Sequence, residues 1–185
     1  MPFRVATRES LVVLALSCCS SAIAPVRGDS PSSASPALCL EHLADMSWCD
    51  LEQLYRRAAA GTMPVGYARG RAIFCPCAPL TPMRSKMSQA LWHGKLFCPA
   101  EGILVNRWCL GAQGVRARVC FGDSCLDGKP SIIMDYRGMA HIWSDVRDEI
   151  REVAPGLYLG LMYRGKSRQP QRKMFFALEM TSPCP

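Results

Sequence analysis

Three apolar runs of strand length, Ser131–Met134, Leu157–Tyr163 and Met174–Leu178, occupy the last third of the chain, each separated from the next by Gly, Pro or charge. Runs this short, bounded by turn residues, predict strands rather than core helices. Val115–Phe121 gives the cleanest period-two signal. Val115, Ala117, Val119 and Phe121 alternate with Arg116, Arg118 and Cys120, so one face should be buried and the other wet and basic. Ala90–Phe97 and Ile103–Trp108 are further candidate strands. In the first of them Leu91, His93, Lys95 and Phe97 share one face, and Trp92, Gly94 and Leu96 the other.

Two stretches need arbitration. Met63–Ala72 reads as an extended entry, and the proline-rich Phe74–Pro82 cannot be a central strand. In His141–Glu152, Ile142, Val146 and Ile150 recur at helical spacing. The second half nevertheless reads as a strand, because Val153-Ala154-Pro155-Gly156 makes a hairpin turn into Leu157–Tyr163. Seven or eight short strands at such close spacing predict a mainly β fold, an antiparallel sheet curling into a small barrel. One helix should precede it, at about 48–60. Ser47 and Asp50 make a capping pair, Leu51, Leu54, Tyr55 and Ala58 form its apolar face, and Gly61 stops it. Such a helix would pack on the sheet or plug it.

The length, 185 residues, suits one domain plus a leader. Residues 1–24 read as an export signal: Arg4 and Arg8 precede the apolar run Leu11–Cys19, and Ala22-Ile23-Ala24 has the form of a cleavage site, with cleavage after Ala22 as a rival. Leu16-Ser17-Cys18-Cys19 also resembles a lipobox, so anchoring as a lipoprotein is the alternative form of export. Residues 25–38 read as a disordered linker rich in Ser and Pro, and residues 39–185 as a single barrel domain. Nine cysteines remain beyond Cys18 and Cys19. An oxidising compartment favours disulfides among them. Cys75-Pro76-Cys77 has no partner pair at zinc-finger spacing, and His42, His93 and His141 are isolated, so neither a metal nor another cofactor is expected.

The net charge is +7, and the cations are scattered except for Arg164–Lys173, which carries five of them and no acid. That loop is either a solvated hairpin tip or a contact for an anionic surface. Arg116 and Arg118 with Trp108 and Phe121 are too few to make a basic stripe with interleaved aromatics, and export argues against it, so nucleic acid is not an expected partner.

ALWHGKLF, DGKPSIIMDY, RDEIREV and YLGLMYRG followed by FFALE resemble the GXWXG-type domain and its companion C-terminal domain of unknown function. The resemblance covers about Met63–Glu179 and keeps the Trp92 and Gly94 part of the motif, with Ala90 where the family has Gly. It implies a calycin-like (lipocalin-like) barrel and brings no established activity.

The candidate ligand-binding residues are Trp92, Lys95, Asn106, Arg107, Trp108, Asp135 and Arg147. Trp92 could stack on a ligand at a barrel entrance or plug a closed end, and Lys95 could pair with a carboxylate head group. Arg107 could clamp an anion or stack on Trp108 or Trp92. Asp135 lies in an apolar strand and would be costly to bury alone, so Arg147 is its expected partner, either lining a polar cavity or tying two strands. No complete catalytic signature occurs. The leading expectation is an exported barrel that binds a small apolar or amphipathic ligand. An enzyme using a cavity acid or thiol, and a non-catalytic envelope module, are the alternatives.

Overall fold

The computed structural model describes residues 38–76, 79–167 and 170–181; the expected export signal and nearly all of the expected linker lie outside the described residues. Eight strands follow one another round a closed antiparallel barrel: β1 (Gly66–Ile73), β2 (Trp92–Cys98), β3 (Ile103–Trp108), β4 (Gln113–Asp123), β5 (Pro130–Asp135), β6 (Val146–Ala154), β7 (Leu157–Arg164) and β8 (Gln171–Met180). β8 closes on β1, from Ala68 opposite Met180 to Ile73 opposite Phe175. Closure removes both free edges, so every strand has two hydrogen-bonded neighbours.

Among the described residues, three α-helices accompany the barrel: α1 (Leu40–Asp45), α2 (Trp48–Arg57) and α3 (Thr81–Leu91). Only α2 was foreseen. Its cap is the expected one, with the Asp50 backbone N–H donating to Ser47 Oγ at 3.1 Å, but it ends at Arg57, short of residue 60. α1 is a six-residue helix without a side-chain cap, so it leaves little periodic signal. α3 begins at Thr81, inside the Pro-rich stretch, with Pro82 in its first turn, and it extends through Ala90 and Leu91, which were expected in β2. It buries no residue, and therefore shows no core-facing stripe.

The barrel has two apolar layers. Inside, Phe97, Leu104, Ala117, Ile132, Ile150, Tyr158 and Leu178 pack across the lumen. Outside, α1 and α2 lie on β7 and β8, where Leu43, Leu51 and Tyr55 meet Leu159, Leu161, Phe175 and Ala177. β7 is thus buried on both faces, which explains why Leu157–Tyr163 reads as a continuous apolar run.

Arg151 fixes α2 to the barrel. Its side chain is fully buried and donates to Asp127 Oδ1 at 2.7 Å, Asp127 Oδ2 at 2.9 Å, Tyr55 O at 3.0 Å and Ser131 Oγ at 2.9 Å. Its guanidinium lies 4.5 Å from the centre of the Tyr55 ring. The Arg151 hydrogen bonds hold the Asp127 carboxyl below its usual range, against a smaller upward push from burial. Phe121, expected on the buried face of β4, is exposed. Among the described residues, Cys39, Cys49, Cys98, Cys109, Cys120 and Cys125 are thiols.

Gly160 stands opposite Phe176 in the β7–β8 register, and a Cβ there would overlap the Phe176 ring. Gly160→Ala should destabilise by about 1–3 kcal/mol through overpacking, seen as a fall in Tm of about 2–4 °C per kcal/mol. Because the folded-state value of Asp127 is depressed, its contribution is complete above the ordinary aspartate value of about 3.9 and fades as pH falls through the folded value. Arg151→Ala should lower stability at neutral pH and flatten this acid limb in denaturant titrations across pH.

Candidate functional site

The strand direction places the β1–β2, β3–β4, β5–β6 and β7–β8 connections at one end of the barrel. That end is hollow. A cavity of about 600 Å³ is walled by Trp92, Trp108, Trp143, Phe176, Met162 and Met174, with Arg84, Arg164 and Lys173 also lining it. Phe176 reaches across the lumen because Gly160 leaves it room, and Trp92 meets it edge-on at 6.1 Å between ring centres.

The floor is a polar network in the barrel interior. Lys95 Nζ donates to Tyr136 Oη at 2.7 Å, Asp148 Oδ2 at 3.0 Å and Asn106 Oδ1 at 3.0 Å, which uses all three of its N–H groups. Tyr136 Oη donates to Asp148 Oδ2 at 3.0 Å. Asn106 Oδ1 also accepts from Trp92 Nε1 at 3.0 Å, and Asn106 Nδ2 donates to Val115 O at 2.8 Å. Lys95 is 2% exposed and Asp148 5%, so this is an ion pair removed from water. Asp148 Oδ1, buried as well, accepts no hydrogen bond from the described residues.

Burial pulls the Lys95 ammonium towards losing its proton, but the groups around it win and hold its pKa above the ordinary lysine value. Burial, followed by the Asp148 carboxylate, pushes the Tyr136 phenol up to about 12. Tyr136 is therefore neutral near pH 7, and its hydroxyl together with the Asp148 carboxyl group holds the proton on Lys95. An ammonium so held is a poor amine nucleophile, and a phenol so held is a poor base. The Cys125 thiol, raised to about 11 by burial and by its hydrogen bond to Glu149, is equally unsuited to attack as a thiolate. Among the described residues, no three of His, Cys, Asp or Glu gather as metal ligands would.

Of the residues singled out in the sequence, Trp92, Lys95, Asn106 and Trp108 line this cavity. Strict alternation puts Trp92 and Lys95 on opposite faces. Both turn inward because the β2–β3 register shifts between Trp92 and Gly94, where Gly94 takes φ 140°. Arg107 alternates outward from Asn106 and lies over the Tyr67 ring at 5.5 Å. The expected Asp135–Arg147 ion pair is not formed. Ile132, Met134 and Tyr136 fill the inward positions and leave Asp135 outside, bound to Arg137 at 2.7 Å, while Arg147 pairs with Glu149 at 2.8 Å. Lys95 is not free to meet a ligand carboxylate either, since the floor takes all its donors. In the basic loop, Asp145 holds Arg164 and Glu52 holds Arg172.

The acid missed was Asp148. It shares its face of β6 with Val146 and Ile150, and that alternation was present in the sequence. Trp143 and Phe176 were missed because nothing local reveals that a turn and the far end of the chain meet over one lumen.

No protein-family model matches the chain. No curated protein matches it. Among solved structures, it is similar to a crystal structure of a protein from Thermomonospora curvata, at 19% identity and a TM-score of 0.49, over 74% of this chain and 88% of that one.

Breaking a buried ion pair leaves a charge unpaired, at a cost of about 3–5 kcal/mol. Lys95→Met and Asp148→Leu should each destabilise to that extent. The double variant should lose much less than the sum, as a double-mutant cycle from urea denaturation would read.

Proposed function

We propose that the protein binds a small amphipathic molecule in the open end of its barrel. The observation that carries this reading is the aromatic-walled cavity of about 600 Å³, with cations at its rim and a self-paired polar floor. The volume lies within the range of about 300–1,000 Å³ usual for small-molecule sites. Lys95 and Asp148 cancel each other, so the uncompensated charge of the lining is positive. Arg84 and Lys173 supply it at the rim, with Arg164 shared with Asp145. A ligand with an apolar body and an anionic head would place the body against Trp92, Trp108 and Phe176 and the head among the rim cations.

The eight-stranded antiparallel closure supports a calycin-like assignment for the barrel, and the Leu11–Cys19 run supports export. Holding the principal lysine and tyrosine of the cavity in their resting protonation states favours a binder over an enzyme.

Three of the four tryptophans line the cavity, so their fluorescence reports on its contents. Titration with the anionic amphiphile 1-anilinonaphthalene-8-sulfonate, and with long-chain fatty acids as competitors, should quench or shift that emission saturably. Met162→Trp fills the lumen from β7 and should weaken binding by about tenfold or more, a loss of about 1.4 kcal/mol or greater, with the far-ultraviolet spectrum unchanged. Unaltered binding by that variant, or no saturable binding of any amphiphile, would remove this reading.

A further inference from the structure

Eight large apolar side chains are exposed among the described residues, and six of them sit on the connections at the open end: Leu80, Met83, Met87, Leu91, Leu110 and Ile142. The other two, Val65 and Phe121, lie elsewhere. Met83, Met87 and Leu91 recur every four residues and form one stripe along α3. The neighbouring positions Arg84 and Ser88 line the cavity, so the helix has an inner face on the lumen and an apolar outer face.

Leu110 is fully exposed at the β3–β4 tip, at φ 55°, and Leu80 is exposed at the start of α3, at φ 60°. Leucine is disfavoured in this left-handed region, where glycine or asparagine would fit at less cost. At both positions a strained backbone presents an apolar side chain to solvent, and neither side chain supports the core.

The charges divide in the same way. Among the described residues, the four connections at the open end carry Arg84, Lys86, Arg137 and Lys166 against the single acid Asp145. At the closed end, the β2–β3, β4–β5 and β6–β7 connections carry Glu101 and Asp127 against Lys129. α3 and the β3–β4 turn contain no acidic residue.

We propose that the open end of the barrel is a docking surface for an anionic phospholipid bilayer. Exposed apolar side chains surrounded by cations match a lipid interface, where the apolar groups enter the acyl boundary and the cations meet the headgroups. A protein partner would have to match both the apolar stripe and the basic surround, whereas a fluid anionic surface needs no shape match. Docked this way, the cavity would open directly onto the membrane. Docking does not depend on the cavity being filled, so the two readings can fail separately.

The test is flotation of the full chain with phosphatidylcholine vesicles and with mixed phosphatidylcholine–phosphatidylglycerol vesicles. Binding should favour the anionic vesicles and weaken as salt is raised. Leu110→Ser/Ile142→Ser, and separately Lys86→Glu/Lys166→Glu, should each weaken it by about tenfold or more. Val65→Ser/Phe121→Ser should leave it unchanged, and so should the lumen-filling Met162→Trp. All the substituted positions other than Met162 are exposed, and matching thermal unfolding curves would confirm that folding is intact. Equal binding to both vesicle types, or unchanged binding in both open-end variants, would overturn the proposal. So would a dimer in sedimentation velocity that the open-end variants dissociate, because a second copy would then be the occupant.

Discussion

The interior of this barrel depends on one ion pair that spans it. Lys95 belongs to β2 and Asp148 to β6, four strands apart in a ring of eight and therefore on opposite walls. Asn106 on β3 and Tyr136 just beyond β5 complete the span. Charges so placed tolerate burial only when every donor finds an acceptor, and the network achieves this for Lys95. It also divides the lumen. On one side Leu104, Ile132, Ile150 and Tyr158 close the space, and on the other the aromatic walls leave it open. A fully apolar middle layer could have been packed solid. A polar layer with its own partners forms a floor instead.

The outer wall obeys a different constraint. β7 and β8 present leucines and a phenylalanine on the face away from the lumen, and these need cover. α1 and α2 provide it, held by Arg151 beneath α2 and by Arg172, which bonds Glu52 at 2.7 Å and lies over the Trp48 and Phe175 rings. α3 has no such duty. It buries nothing, and its position over the mouth reflects the connection it makes between β1 and β2.

Much of the barrel was legible in the sequence because a strand with one wet face writes its period directly into the residue order. Val115–Val119 and the Pro155-Gly156 hairpin are of this kind, and the structure agrees with them. The site was legible in part. Trp92, Lys95, Asn106 and Trp108 were found, but alternation alone would have separated Trp92 from Lys95, because a bulge leaves no mark in residue type. Asp135 misled because an acid among apolar residues suggests a buried charge, and one further step of alternation would have put it outside. Asp148 was hidden by its company: among Arg147, Glu149 and Arg151 it reads as one more surface charge. The pairing of distant acids and bases across a lumen is a property of closure, and no local window contains it.

The seam between β1 and β8 governs the order in which the molecule can be made. The two strands can pair only after the six strands between them have been made, and α1 and α2 rest on β7 and β8, so these early elements wait for later ones. Such a chain emerges from synthesis with an unpaired β1 edge and two helices lacking a platform. Its assembly is set by long-range ring closure, a step expected to be slow and to expose the nascent sheet to wrong pairing until the final strand arrives.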